Sequence, residues 1–299
     1  MVNKIKLAFI KTGKANLPEI DAYCDFFSPR FEVKVCQANE ELSHYDVLWN
    51  FMGFQGRKVR PDQFLIHEYA SLSTPPFSKL KNSIKKIILP KPDLRIFLNK
   101  FVQDEIGFND KIPYCYRDMG VNNIERTEGN NFDFDIVYVG AVKGRRLEEA
   151  LELLISYGLD CKIAIVGKVD NNFIKKYESA GIVFTGQVPY SEVANIISRS
   201  KLCLNWVPDV YPYNIQTSTK FLEYLVAGKC IISNEYKWVS DFTSNNDIKY
   251  INIKNKSDIK SALNGDVVFN TSFVPSSWTD IISGSEIECH ITNYFKEKR

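Results

Sequence analysis

Two segments in the second half of the chain carry residue types suited to binding a phosphate-bearing anion. The first spans 211–233 and reads YPYNIQTSTKFLEYLVAGKCIIS. Thr217, Ser218 and Thr219 stand where a helix should begin, Phe221, Leu222 and Leu225 give that helix an apolar face, and Gly228 ends it before a short apolar strand. A helix start presents backbone N–H groups that have no intrahelical acceptor, and hydroxyls beside them complete a site that suits a diphosphate. Glu223 falls about one turn inside, where its carboxylate can accept hydrogen bonds from ribose hydroxyls. The plainer alternative is a capped helix with a solvated Glu. The second segment, 138–146, reads YVGAVKGRR: an apolar strand, a loop with Gly140 and Gly144, and three cations, Lys143, Arg145 and Arg146. In open parallel sheets ligands bind beyond the carboxyl ends of strands, and Arg grips phosphate in bidentate fashion. Cations at a helix start oppose its macrodipole at a cost of about 0.3–1 kcal/mol, which favours a binding role for at least one of them over a solvated helix start.

The first half offers less. His67 closes the apolar run 64–67, and a lone His at a strand end readily satisfies itself in a structural hydrogen bond. Gly13 lies in the loop after the first strand, but KTGK at 11–14 lacks the GxxxxGK[ST] spacing, so an ATPase reading fails. In 77–91 (FSKLKNSIKKIILPK), Phe77, Leu80, Ile84, Ile87 and Ile88 share one helical face, and Lys79, Lys81, Lys85, Lys86 and Lys91 stand with no acid among them. The favoured reading is a helix packed on a sheet with its lysines in water. The second is contact with an anionic membrane surface or a phosphate-bearing acceptor.

The elements that must hold these residues alternate between short apolar runs and helical patterns. Strands are expected at 5–10, 31–36, 47–51, 64–67, 94–98 and 112–115, then at 135–139, 162–166, 183–184, 202–206, 230–233 and 249–251. Such alternation predicts an α/β protein of parallel sheets covered by helices. A polar stretch, 118–133, reads as a linker, which gives domains at 1–130 and 131–275 and a helical segment at 276–299, weakened or broken at Gly284. A net charge of +2 argues against a strongly basic nucleic-acid binder. No signal segment and no apolar run long enough to span a bilayer is read, and seven scattered cysteines without a CxxC pair suit a reducing cytoplasm. Three separated histidines and the lack of a DxD motif predict no metal site, and no cofactor is expected.

The second half resembles the family 4-like, GT-B-fold glycosyltransferases (glycosyl transferases group 1). Four segments carry the likeness: DIVYVGAVKGRR from 135, Val183-Phe-Thr-Gly-Gln-Val-Pro189, the block Lys220-Phe-Leu-Glu-Tyr-Leu-Val-Ala-Gly-Lys-Cys-Ile-Ile232, and Trp278-Thr-Asp-Ile281. The Glu-Tyr block is the specific one. The resemblance covers roughly 134–299 and the first half only loosely. It implies two Rossmann-like domains facing a central cleft, with a C-terminal helix crossing back to the first domain. It implies a transferase, of hexosyltransferase type, that moves a sugar from a nucleotide-sugar donor to a glycan or lipid-linked acceptor. Retention of configuration, independence of metal, and a cytoplasmic setting in bacterial surface-polysaccharide assembly (O-antigen or capsule) go with it, with 77–91 as a peripheral contact to the inner membrane. Glu223 would bind ribose; Thr217, Ser218, Thr219 and Lys220 would hold the diphosphate or sugar; Arg145 or Arg146, with Lys143, would neutralise the leaving group. Gln187 and Val188 would receive the base, Gly13 and Gly140 would let the chain approach the donor, and His67 would lie near the sugar. Where many members carry a further Glu, this chain has Ile215, so Asn214 or Gln216 would replace that sugar contact. The competing expectations are a GT-B phosphorylase or sugar-nucleotide-processing enzyme, and a non-catalytic partner subunit.

Overall fold

The computed structural model describes residues 4–11, 17–51, 56–73, 77–122, 124, 132–266 and 273–298. They fall into two units: Met1–Gly120 with Ser276–Arg299, and Val121–Pro275.

The first unit contains β1 (Lys6–Lys11), α1 (Pro18–Phe27), β2 (Glu32–Gln37), β3 (Val47–Phe51), β4 (Phe64–Tyr69), α2 (Ser78–Ile88), β5 (Leu94–Phe97), α3 (Lys100–Ile106) and β6 (Tyr114–Tyr116). The strands form one sheet in the order β2-β1-β3-β4-β5-β6, parallel at every pairing. Every residue of β3 and β4 is buried, as expected of central strands covered on both faces. One face is an aromatic core in which Phe9, Tyr23, Phe27 and Trp49 pack ring against ring. Beneath it lies a buried charge cluster. Glu68 accepts from Arg117 and, at 2.7 Å, from Trp49 Nε1, while Arg117 Nε donates to the Tyr23 hydroxyl at 3.0 Å and Glu19 stands 3.5 Å away.

The second unit contains β7 (Phe134–Val139), α4 (Leu147–Ser156), β8 (Ile163–Val166), α5 (Asn171–Tyr177), β9 (Ile182–Gly186), α6 (Tyr190–Ser198), β10 (Ser200–Asn205), α7 (Thr219–Val226), β11 (Cys230–Ser233), α8 (Lys237–Asn245), β12 (Ile251–Asn252) and α9 (Lys256–Leu263). Its sheet is parallel, in the order β12-β11-β10-β7-β8-β9, with an apolar core on each face. Strands were expected at all of these places in both units, and the α/β class with two Rossmann-like sheets stands.

The last helices, α10 (Trp278–Gly284) and α11 (Ile287–Glu297), belong to the first unit. A capping box between Ser277 and Asp280 starts α10, and Trp278, Ile282, Ile287 and Ile291 enter the aromatic core. The break expected at Gly284 falls there: α10 ends and Glu286 takes a positive φ before α11 begins. The first boundary lies at Gly120/Val121 rather than at 130/131, because Val121 and Ile124 are already buried and Ile124 sits in a core of the second unit.

One expectation is corrected. The apolar stripe of α2 does not pack on the sheet: Phe77, Leu80, Ile84 and Ile88 are 75%, 58%, 43% and 71% exposed. The helix instead turns Asn82 inward, where its side chain accepts from the Ser73 amide at 3.2 Å.

Candidate functional site

The second unit assembles its site where β10 and β11 end. Asn205, the last residue of β10, is fully buried; its amide donates to Ser233 Oγ at 2.9 Å and to the Tyr236 hydroxyl at 3.1 Å. Its carbonyl oxygen accepts from Ser218 Oγ at 2.7 Å, and Ser218 in turn caps α7 by accepting from the Phe221 amide at 3.4 Å. These bonds tie the N-terminus of α7 to the carboxyl edge of the sheet. They also occupy the Ser218 hydroxyl, whose part is therefore to build the site rather than to reach a ligand.

In front of that helix start is an open pocket of about 450 Å3, lined by Arg145, Val207, Tyr213, Gln216, Thr217, Ser218, Thr219 and Lys220. Arg145 is held at both ends. Its carbonyl accepts from Trp206 Nε1 at 3.0 Å, and its guanidinium lies 4.4 Å from the centre of the Tyr213 ring. Lys220 Nζ stands 5.4 Å from the centre of the Tyr138 ring. Burial and, after it, the Arg145 cation lower the Lys220 ammonium to about 8, with Glu223 offsetting only part of this. Neither cation has an ion-pair partner among the described residues. Two such cations at a helix N-terminus make a site suited to an anion.

Two glycines let neighbouring loops approach closely, one of them beside Lys220. Gly140 and Gly167 have φ of +135° and +148°, and a Cβ on Gly167 would fall 2.2 Å from the Gly140 carbonyl oxygen. A Cβ on Gly140 would reach to 3.5 Å from Lys220 Cδ. The loops after β7 and β8 can pass this closely only without side chains.

One turn along α7, Glu223 is partly buried, and burial raises its carboxyl above the usual range. Its Oε1 accepts from the Tyr190 hydroxyl at 2.9 Å, and that bond and Lys220 oppose the rise.

Of the residues singled out in the sequence, Arg145, Thr217, Ser218, Thr219 and Lys220 thus share one pocket, with Gly140 against Lys220 and Glu223 one turn away. Others lie elsewhere. Arg146, at φ +50°, points to solvent and meets Glu149 at 3.7 Å, with both side chains more than half exposed. Lys143 and Gln187 are exposed, and Val188 packs on a core beside Tyr190. His67 belongs to the first unit, is fully buried, and donates from Nε2 to the Gly56 carbonyl at 3.1 Å. Burial lowers its imidazole to about 4. A Cβ on Gly56 would fall 2.5 Å from that nitrogen and 2.8 Å from Cγ of Asn50, the neighbour of His67 in register, so the chain closes directly over the pair. His67 therefore holds the chain at Gly56 in place. Gly13 lies outside the described residues.

Three residues of the site were not singled out from the sequence: Tyr213, Val207 and Tyr190. Tyr213 stands within the same 211–233 segment, and its aromatic character two residues after Tyr211 was the available signal. The Tyr190–Glu223 bond joins residues far apart in sequence and had none. Between the two candidates for the missing Glu contact, Gln216 lines the pocket and its buried Nε2 has no partner among the described residues. Asn214 instead donates to Asp209 at 2.9 Å. No group of three metal-binding side chains occurs among the described residues.

Solved structures place this architecture. AviGT4, a glycosyltransferase involved in avilamycin A biosynthesis, superimposes with a TM-score of 0.64 over 98% of this chain and 97% of its own, at 10% identity. Anabaena HepE, in complex with UDP and glucose, gives 0.62 over 98% and 99%, also at 10% identity. WaaG, a glycosyltransferase involved in lipopolysaccharide biosynthesis, gives 0.56 over 86% and 90% at 9% identity. The fold is GT-B. Residues 145–260 of the GT-B chain match the model of the glycosyl transferase-like family, a stretch that begins at Arg145 and contains every residue lining the pocket. No curated protein matches the chain. The resemblance read from the Glu-Tyr block, and the expectation of a transferase, are borne out at this level.

Proposed function

We propose that the chain is a glycosyltransferase that takes a sugar from a nucleotide-sugar donor and passes it to a glycan or lipid-linked acceptor. The observation that carries this is the pairing of Arg145 and Lys220, two cations without an ion-pair partner among the described residues, at the N-terminus of α7, with a carboxylate one turn along the same helix. That is a diphosphate site beside a ribose site, in the part of the chain that matches the glycosyl transferase-like family.

In this reading Arg145, Lys220 and the amides at Thr217–Thr219 bind the diphosphate, and Glu223 accepts from the ribose. As the sugar–phosphate bond breaks, negative charge grows on the departing diphosphate. Fixed cations and helix amides stabilise that charge without reorganising, and they stand where a metal would otherwise be needed. We accordingly take transfer to be independent of metal, and retention of configuration to follow the resemblance. The Gln216 amide, a donor without an acceptor among the described residues, contacts the sugar at the place left by Ile215. Of the two arginines, Arg145 bears the catalytic load, and His67 is a positioning residue.

The outward apolar stripe of α2 supports a second element of the reading: peripheral attachment to an anionic membrane, where a lipid-linked acceptor would be met. No helix among the described residues is long and apolar enough to cross a membrane. Bacterial surface-polysaccharide assembly is the setting we propose. The test is calorimetric binding of UDP, GDP, ADP and CMP to the wild type and to Glu223→Ala. One nucleotide should bind selectively and weaken by on the order of tenfold in the variant, as expected for a lost charge-assisted hydrogen-bond acceptor. Unchanged affinity would remove the ribose assignment.

A further inference from the structure

The hydrogen bond between Tyr190 and Glu223 links two elements that the family-like block does not. Tyr190 is the first residue of α6, directly after the loop of Gln187, Val188 and Pro189, whereas Glu223 lies on α7. The residue is 40% exposed, so its place is not explained by burial of apolar surface alone, yet its hydroxyl reaches Glu223 Oε1 at 2.9 Å. An ionised carboxylate accepts about four hydrogen bonds. Among the described residues Glu223 takes this one alone, which leaves Oε2 and further lone pairs for other donors. A second attraction competes for the same group: Lys220, one turn earlier on α7, is electrostatically coupled to Glu223. Without the phenol, that ammonium would draw the carboxylate towards itself and away from a diol.

We propose that Tyr190 is a positioning residue of the nucleoside site: its hydroxyl fixes Glu223 so that the remaining carboxylate oxygen receives the ribose diol. This rests on the ribose role of Glu223. It implies that recognition of the diol, and not of base or phosphate, depends on Tyr190. Because the ring is half in solvent, Tyr190→Phe leaves packing intact.

The experiment is calorimetric titration of UDP, GDP and ADP, each against its 2′,3′-dideoxy form, into wild type, Glu223→Ala and Tyr190→Phe. For the base that binds, the wild type should prefer the ribose form by on the order of tenfold. Glu223→Ala should abolish that preference. Tyr190→Phe should reduce it by about fivefold while leaving affinity for the dideoxy form unchanged. A wild-type preference in Tyr190→Phe, whether both affinities hold or fall together, overturns the proposal, as does tighter ribose binding, which would make Tyr190 a competitor of the ligand. A preference that survives in Glu223→Ala overturns the ribose assignment itself, as does a wild type that binds none of the nucleotides.

Discussion

Lys220 should make nucleotide binding depend on pH in a way that no other residue of the site does. In the ligand-free protein it titrates at about 8 rather than 10.5, through burial and the neighbouring Arg145 cation. A diphosphate seated between the two would supply the missing negative charge and restore the ammonium to its ordinary range or above. Binding therefore takes up a proton wherever the free site has lost one. With a free-site value of about 8, the charged form falls from about nine-tenths at pH 7 to about one-tenth at pH 9, so affinity drops about tenfold, or about 1.4 kcal/mol, across that interval. The ligand adds little to this slope, because a terminal phosphate has a last pKa of about 6. The assay is calorimetric titration of the preferred nucleoside diphosphate at pH 7, 8 and 9, in buffers of differing ionisation enthalpy so that the proton is counted directly. Lys220→Arg should bind with a flat profile, since a guanidinium keeps its charge throughout. A flat profile in the wild type, or a slope that persists in Lys220→Arg, would refute the reasoning.

Arg145→Ala should weaken the nucleoside diphosphate by on the order of tenfold to a hundredfold while leaving the nucleoside without phosphate unaffected, whereas Arg146→Ala should change neither; equal losses in the two variants would argue against the placement of Arg145 in the pocket. Gly167→Ala should cost more than about 2 kcal/mol in chemical denaturation, because both its φ and the Gly140 carbonyl oppose a Cβ. His67 is neutral when folded down to about pH 4, while the unfolded chain takes up its proton near 6.5. Stability should thus decline as pH falls from 6.5 towards 4, by up to about 3 kcal/mol, and His67→Gln should flatten that part of the curve. Vesicles containing anionic lipid should bind the protein in a salt-sensitive way, and replacing Leu80, Ile84 and Ile88 by Ser should abolish this; indifference to lipid charge would remove the membrane role of α2.

Much of the fold was legible because parallel strands buried on both faces are mostly apolar, as VLWNF and FLIHEY are apart from Asn50, His67 and Glu68. The start of α7 was legible for a local reason: a cap, an apolar face and a terminating Gly all lie within a few residues of one another. The direction of α2 was not. Periodicity says which residues share a face, and Phe77, Leu80, Ile84 and Ile88 do share one; which face turns inward is decided by Asn82 meeting Ser73. The part played by His67 was not legible for a similar reason. A strand-end His is either a ligand or a tie, and only the approach of Gly56 decides between them. The three cations of the loop after β7 could not be ranked by type or spacing. The turn there separates them, placing Arg145 over Tyr213 and Arg146 beside Glu149 in solvent.

The central claim is that the pocket before α7 holds the diphosphate of a nucleotide-sugar while its sugar is transferred. Its most direct test is to incubate the protein with a panel of UDP-, GDP-, ADP- and CMP-sugars, with and without lipid-linked and glycan acceptors, and to follow release of free nucleotide. The account predicts that one nucleotide class is consumed, faster when an acceptor is present, and that Arg145→Ala suppresses the release. Consumption of none of them, together with orthophosphate-dependent cleavage of a glycan, would contradict it.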